Sequence, residues 1–178
     1  MHDQILKFWF EEIDEALWWK KDDDFDRLIG ERFGALHAQA NRCELFAWRQ
    51  TPEGRLAEVI VLDQFSRNMF RGLPGSFASD PLALALAQEA VAVGADSALP
   101  DRQRNFLYMP FMHSESLVIH EVAVALFQKS GNEKMLSFEL KHKALNDRFG
   151  RYPHRNAILG RASTAEETEY LQQPGAGF

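Results

Sequence analysis

One helical stripe of the sequence carries charged side chains where the pattern calls for apolar ones. Leu56, Val59, Ile60, Asp63 and Arg67 recur at helical spacing in the stretch that ends LDQFSRNMFR, so a continuous helix would place all five on one face. A carboxylate and a guanidinium are costly to bury without partners. We therefore expect Asp63 and Arg67, which are four residues apart, to be paired.

Two amides adjoin that stripe, and the resulting cluster allows two interpretations. Gln64 flanks the stripe and Asn68 follows Arg67. Asp63, Gln64, Arg67 and Asn68 could together form a buried network that fixes how helices dock. They could equally form the floor of a polar ligand pocket, so all four are candidate ligand-binding residues.

A second cluster, Met112-His113-Ser114-Glu115, follows Pro110 at a predicted helix start. His113 could act as a general base or acid because the reference pKa of histidine lies near neutrality, and Glu115 could orient it. The alternative is a loop histidine that caps a helix. Nearby, His120-Glu121 begins like a zinc-protease motif, but Val124 replaces the second histidine, so we predict no metal site.

The third cluster is the segment RFGRYPHRNAILGR, residues 148–161, which holds four arginines. Arginine forks suit the geometry of carboxylate or phosphate, although the glycine spacing of a phosphate-binding loop is missing. The candidate ligand-binding residues are Arg148, Arg151, Arg155 and Asn156, and His154 is a candidate for moving a proton. Upstream, His142 falls on an apolar stripe, so we expect a buried histidine there.

The charge distribution is uneven. The net charge of −6 argues against general nucleic-acid binding. Residues 1–26 carry nine acids against three lysines, whereas residues 139–161 carry six basic residues against two acids. The two segments could face each other or water, or the basic segment could hold a local anion site.

Composition bounds the class of protein. The single cysteine, Cys43, excludes an internal disulfide and a cysteine-based zinc cluster, and we expect it to be a small apolar residue that is buried or half-buried. We find no signal peptide and no run of about 20 apolar residues for a membrane span. We therefore predict a cytoplasmic protein with no cofactor.

Helix signals dominate the chain, and strand signals are nearly absent. Helix ends at Gly94 and Gly131 lie 37 residues apart, near the 34-residue period of tetratricopeptide arrays. We predict one all-α domain over residues 1–178, built as stacked helical hairpins, with a frayed tail over 170–178. Two of the predicted helices cover about residues 3–13 and residues 133–149. The others start at Asp22 to Asp24, at Thr51-Pro52, at Asp80-Pro81, at Pro100-Asp101 (interrupted by Pro110), at Ser114 and at the Thr164–Glu167 capping box.

Three long motifs carry a family resemblance. LDQFSRNMFR (62–71), FLYMPFMHSE (106–115) and RFGRYPHRNAILGRASTAEETEYL (148–171) resemble the signature blocks of the bacterial domain-of-unknown-function family numbered 924. FWF around Trp9 and the Trp18-Trp19 pair fit as well. The resemblance implies a tetratricopeptide-like all-α fold and transfers no catalytic residue, since the family has no established activity. Ser66 departs from the pattern, which leads us to expect proline there.

Two functional hypotheses follow. In the first, an interaction module binds a peptide or protein partner in a groove lined by exposed Trp18, Trp19 or Trp48. In the second, an enzyme or small-ligand protein acts on an anionic molecule, and the three clusters converge on one pocket. A third interpretation gives the clusters a role in folding only.

Overall fold

The computed structural model describes residues 1–176, and every regular element in that range is helical, which confirms the all-α prediction. The chain divides into two compact units. The first contains residues 1–71 and 75–110, and the second contains residues 72–74 and 111–178. The single domain, the tetratricopeptide-like stacking and the frayed tail stay predictions, and the last two tail residues lie outside the described range.

The first unit is built from seven helices with short π- and 3-10-helical turns between them. Asp22 and Thr51 cap their helices as predicted, since their side chains accept hydrogen bonds from Phe25 N–H and Gly54 N–H at 3.1 Å. The elements are α1 (His2–Lys7) with the π turn Phe8–Glu12, the 3-10 turn Glu15–Trp18, α2 (Asp23–Asn41), the 3-10 turn Phe46–Gln50, α3 (Pro52–Ile60) with the π turn Val61–Phe65, α4 (Ser66–Met69), α5 (Gly75–Ala78), α6 (Asp80–Ala92), the 3-10 turn Ala95–Ala98, and α7 (Asp101–Met112) as far as Pro110.

Aromatic rings form the core of the first unit. Phe8 and Phe33 lie 4.9 Å apart, Phe33 and Phe65 lie 5.0 Å apart, and Trp9 contacts Phe65 at 5.6 Å, all between ring centroids. All four side chains are buried. Because two of them lie in the first π turn and one in the second, this core joins α1 and α2 to the long helix that carries Asp63.

The second unit contains α8 (Leu117–Ser130), α9 (Glu133–Phe149), the 3-10 turn Pro153–Arg155 and α10 (Ala165–Leu171). The link between α8 and α9 is two residues long, which makes the two helices antiparallel neighbours. Gly131 and Gly150 end these helices with φ values of 71° and 69°, a left-handed conformation that glycine adopts without strain. The capping box of Thr164 and Glu167 starts α10 as predicted.

Four local predictions are wrong. Helix α7 continues through Pro110 and ends two residues later, so the backbone donor that the proline lacks does not interrupt the helix. The start of α8 is at Ser116, not Ser114. Residues 72–79 are rich in Gly, Pro and Ser, a composition that predicts a loop, but they contain the short helix α5. Cys43 is exposed, with a φ of 58°, because it lies in the turn after α2.

Within residues 1–176, no helix is long and apolar enough to cross a bilayer.

Two glycines of the first unit provide a matched test of this packing. A Cβ at Gly34, inside α2, would meet no atom within 4 Å, whereas a Cβ at Gly54 would overlap the Trp48 carbonyl oxygen. We expect Gly34→Ala to raise the free energy of unfolding by about 0.5–1 kcal/mol and Gly54→Ala to lower it by about 1–3 kcal/mol. Urea denaturation measures both, and changes of the same sign would contradict the packing around α3.

Candidate functional site

The predicted pairing of Asp63 and Arg67 is present in the first unit. Asp63 is 1% exposed. Arg67 Nη1 lies 3.1 Å from Asp63 Oδ1 and donates to its carbonyl oxygen at 2.9 Å. The same guanidinium also binds Asp80 through both Nη atoms, at 2.8 and 2.9 Å. The charged groups of this stripe therefore tie α4 to the first residue of α6.

The two amides beside this pair also bond within the first unit. Gln64 Nε2 donates to Asp63 Oδ2 at 2.6 Å and lies 3.5 Å from Met109 Sδ. Asn68 Nδ2 donates to Asp26 Oδ1 at 2.8 Å. These contacts resemble the buried docking network, which was one of the two interpretations of this cluster.

In the second unit, histidine rings surround Tyr152. Between ring centroids, Tyr152 lies 6.2 Å from His120, 5.6 Å from His142 and 5.5 Å from His154. The ring of His113 lies 6.4 Å from that of His142. Four of the six histidines of the chain thus belong to one group. We call His113, His120, His142, Tyr152, His154 and Arg155 the Tyr152 cluster.

The Tyr152 hydroxyl is fully engaged. It donates to the Met112 carbonyl oxygen at 2.5 Å and accepts from His120 Nε2 at 3.1 Å. Burial raises the pKa of the Tyr152 phenol far above its usual value. The side chain therefore stays protonated and provides a fixed surface rather than a base.

His120 and Glu139 share a proton in the interior. His120 Nε2 lies 2.9 Å from the Ser114 carbonyl oxygen, which can only accept, so Nε2 carries a hydrogen. His120 Nδ1 lies 2.7 Å from Glu139 Oε1, and both side chains are 0% exposed. Burial raises the pKa of Glu139 and the bond to His120 opposes that rise. The pair is neutral overall, whichever atom holds the shared proton.

His142 and His154 are neutral imidazoles at pH 7. Burial lowers the pKa of His142 to about 3, and its Nδ1 donates to the Phe138 carbonyl oxygen at 2.8 Å. Burial and the adjacent Arg155 lower the pKa of His154 to about 4. The predicted burial of His142 is confirmed.

Arg155 places a permanent positive charge among these rings. It is 6% exposed, its Cζ lies 4.6 Å from the centre of the Tyr152 ring, and its Nη2 donates to the His113 carbonyl oxygen at 2.9 Å. Since an arginine in a protein does not lose its proton, this charge is present at every pH at which the protein is folded.

Glu115 anchors the backbone of this segment. Its oxygens accept from Arg161 at 2.6 and 2.9 Å, and Oε1 also accepts from the Tyr152 N–H at 2.7 Å. Burial alone would raise the pKa of Glu115, but these bonds outweigh burial and the pKa lies below its usual value. Glu115 is therefore an ionised group that fixes Tyr152 in position.

Three other candidates from the basic segment hold the residues before and within α10. Arg148 binds Glu166 at 2.7 Å, and Arg151 binds Glu167 at 2.6 and 2.8 Å. Asn156 donates to Ser163 Oγ at 3.1 Å. Arg148 and Arg151 thus form ion pairs with carboxylates, whereas Arg155 and His154 lie beside Tyr152. That all three clusters line one pocket stays a prediction.

Two central residues of this cluster, Tyr152 and Glu139, were not predicted from the sequence. A signal existed for Glu139, because it precedes His142 by three positions and Asn146 by seven, which places all three on one face of α9. Nothing in the sequence marks Tyr152.

Within residues 1–176, no group of three or more His, Cys, Asp or Glu side chains is arranged to hold a metal ion.

The tryptophans proposed to line a binding groove differ in exposure. Trp48 is buried, Trp18 is half-buried, and Trp19 is 52% exposed. The Trp18 and Trp19 rings lie 4.8 and 6.3 Å from Phe106. Of the three tryptophans that the interaction hypothesis offered for the groove, only Trp19 is more than half exposed.

Comparison with known proteins agrees with this architecture. Residues 5–175 match the family described as a bacterial protein of unknown function, DUF924. The chain belongs to that family. A similar solved structure, described as a protein of unknown function, ATU0120, from Agrobacterium tumefaciens, is 39% identical, covers 97% of each chain and has a TM-score of 0.92. No curated protein matches the chain.

Ser66, where we expected proline from the DUF924 resemblance, has a defined role in this chain. Its hydroxyl donates to the Leu62 carbonyl oxygen at 2.5 Å and lies 2.7 Å from His37 Nε2. His37 is buried, and burial lowers its pKa. Proline could supply neither bond, so this DUF924 member uses Ser66 to satisfy a buried histidine and a carbonyl at the second π turn.

Proposed function

We propose that this protein binds a small anionic molecule, a carboxylate or a phosphate, at the Tyr152 cluster. The observation that carries this proposal is the buried Arg155 guanidinium, which lies over the Tyr152 ring. The neutral rings of His142 and His154 contact the same tyrosine. A guanidinium fixed in this way is preorganised for an anion, since little side-chain freedom remains to be lost on binding.

The low pKa of His154 gives the proposed site a group that can take up a proton. Burial is the largest cause of that low pKa, the charges of Arg155 and Arg161 lower it further, and the charge of Glu115 raises it. An anion beside Arg155 would add negative charge near the His154 ring and would raise the pKa of His154. Binding should therefore be linked to proton uptake, with His154 or His113 as the group that exchanges a proton with the ligand.

The other candidate residues take supporting roles in this proposal. Glu115, Arg151 and Asn156 hold the backbone around the cluster, whereas Arg148 forms a half-exposed pair with Glu166 away from this role. Asp63, Gln64, Arg67 and Asn68 fix helix docking in the first unit. We place this activity in the cytoplasm. The interaction-module alternative rests on the exposed indole of Trp19 alone.

Isothermal titration calorimetry with inorganic phosphate and with malonate tests the proposal. We expect Arg155→Gln to weaken binding about tenfold or more, because a charge-assisted hydrogen bond contributes about 1.5–3 kcal/mol. Arg148→Gln, which alters a half-exposed pair with Glu166, is the matched control and should bind like the wild type.

Proton uptake gives a second readout that does not depend on the stability of the Arg155 variant. Titrations in two buffers of different ionisation enthalpy should show uptake by the wild type and less by His154→Gln. Absence of phosphate and malonate binding by the folded wild type, or equal affinities in the Arg155 and Arg148 variants, would contradict an anion site at the Tyr152 cluster.

A further inference from the structure

One face of α9 presents acceptor atoms to the interior beside the Tyr152 cluster. Glu139, His142 and Asn146 follow the spacing i, i+3 and i+7, and all three are buried. Within residues 1–176, Glu139 Oε2 and Asn146 Oδ1 are buried oxygens with no hydrogen-bond partner. We call Glu139 and Asn146 the acceptor row.

The chemistry of each residue defines what it can accept. Glu139 Oε1 is already engaged by His120, so Oε2 is the carboxylate oxygen that remains. Asn146 Nδ2 donates to the His142 carbonyl oxygen at 3.2 Å, which leaves Oδ1 as an acceptor.

The acceptor row and Arg155 meet at the same tyrosine. The His142 ring lies against Tyr152, and His120 joins Glu139 to the Tyr152 hydroxyl. Arg155 lies over the Tyr152 ring. A group that complements the acceptor row must donate several hydrogen bonds, and an ammonium donates three. A group that complements Arg155 must be anionic.

We infer that the ligand of the Tyr152 cluster is a zwitterion of the α-amino acid class, with its carboxylate at Arg155 and its ammonium at the acceptor row. This inference rests on the proposed function and narrows its ligand class. Ordered water is the competing occupant, because buried waters also satisfy isolated acceptors. If the acceptor row binds water instead, the site should show no preference for a ligand that carries an ammonium group.

Matched pairs of ligands isolate the ammonium group. We would titrate the wild-type protein with alanine, leucine, phenylalanine and glutamate, and with the 2-hydroxy acid of each. We expect at least one amino acid to bind about tenfold or more tightly than its hydroxy acid. Glu139→Gln should reduce that ratio to near one, whereas Glu133→Gln, an exposed glutamate at the start of the same helix, should preserve it.

The outcomes separate the two proposals. Hydroxy acids that bind as tightly as amino acids would overturn the zwitterion and leave the anion site standing. Binding of phosphate and malonate without binding of either member of any pair would show that the acceptor row holds water only, which also overturns the inference. If no anion binds at all, both proposals fail. The ligand pairs are compared on the wild-type chain, so the test holds even if Glu139→Gln does not fold.

Discussion

Replacing His120 with leucine should lower the free energy of unfolding by about 3–5 kcal/mol, the usual cost of removing one partner of a buried charged pair. The Glu139 carboxyl would lose its bond at Oε1 while its other oxygen already has no partner among the described residues. The Ser114 carbonyl and the Tyr152 hydroxyl would also lose a donor.

The double variant His120→Leu with Glu139→Leu should be more stable than His120→Leu alone, because two apolar side chains of similar volume leave no buried charge. Urea denaturation of the four proteins in this cycle gives the coupling energy directly. Arg27→Ala, which alters an exposed pair with Glu31, is the control and should change stability by no more than about 0.5 kcal/mol. A double variant as unstable as the sum of the two single variants would refute the shared-proton pair.

Stability should fall steeply as the pH decreases from 6.5 to 4.5. The pKa values of His142 and His154 are about 3 and about 4 in the folded protein, against about 6.5 in an unfolded chain. Over this window the unfolded state binds two protons that the folded state does not, so acid favours unfolding. Each group contributes a slope of about 1.4 kcal/mol per pH unit, which gives about 2–3 kcal/mol per pH unit for the two together.

Three other groups, His37, Glu139 and Glu167, also make the free energy of unfolding depend on pH. The lowered pKa of His37 adds to the same slope, whereas the raised pKa of Glu139 opposes it. The bond from Arg151 lowers the pKa of Glu167 to about 2, so the stability that Glu167 contributes is lost only below about pH 4.5, as the pH approaches 2.

Denaturation midpoints measured from pH 7 down to about pH 3 distinguish these contributions. His154→Gln should reduce the slope between pH 6.5 and 4.5 by up to about 1.4 kcal/mol per pH unit. Glu167→Gln should leave that slope unchanged and alter only the more acidic range. A flat profile between pH 6.5 and 5 in the wild type would rule out buried neutral histidines in the Tyr152 cluster.

The features predicted correctly from the sequence are those that depend on neighbouring residues. The caps at Asp22, Thr51 and Thr164 and the glycine ends at Gly131 and Gly150 were predicted because each acts over three or four positions. The burial of Asp63 was predicted from helical spacing alone. Pro110 was misjudged because the neighbouring turns keep α7 continuous despite the backbone donor that the proline lacks.

The partners of the polar residues could not be predicted, because tertiary contacts select them. Arg161 binds Glu115, which is 46 residues away in sequence, although the acids Asp147 and Glu166 are far closer along the chain. Arg67 binds Asp80 as well as the predicted Asp63. Residue type thus indicated that such groups need partners, and the fold decided which ones they have.

The π turn Val61–Phe65 absorbs one residue without changing the direction in which the following side chains face. A π turn accommodates one residue more than the α-helical turn it replaces, whereas one residue in an α-helix corresponds to about 100° of rotation. Removing a single residue from the π turn should therefore restore an α-helical turn and leave Arg67 facing Asp80 and Asn68 facing Asp26. Removing a residue from α3 instead would rotate both side chains away from these partners.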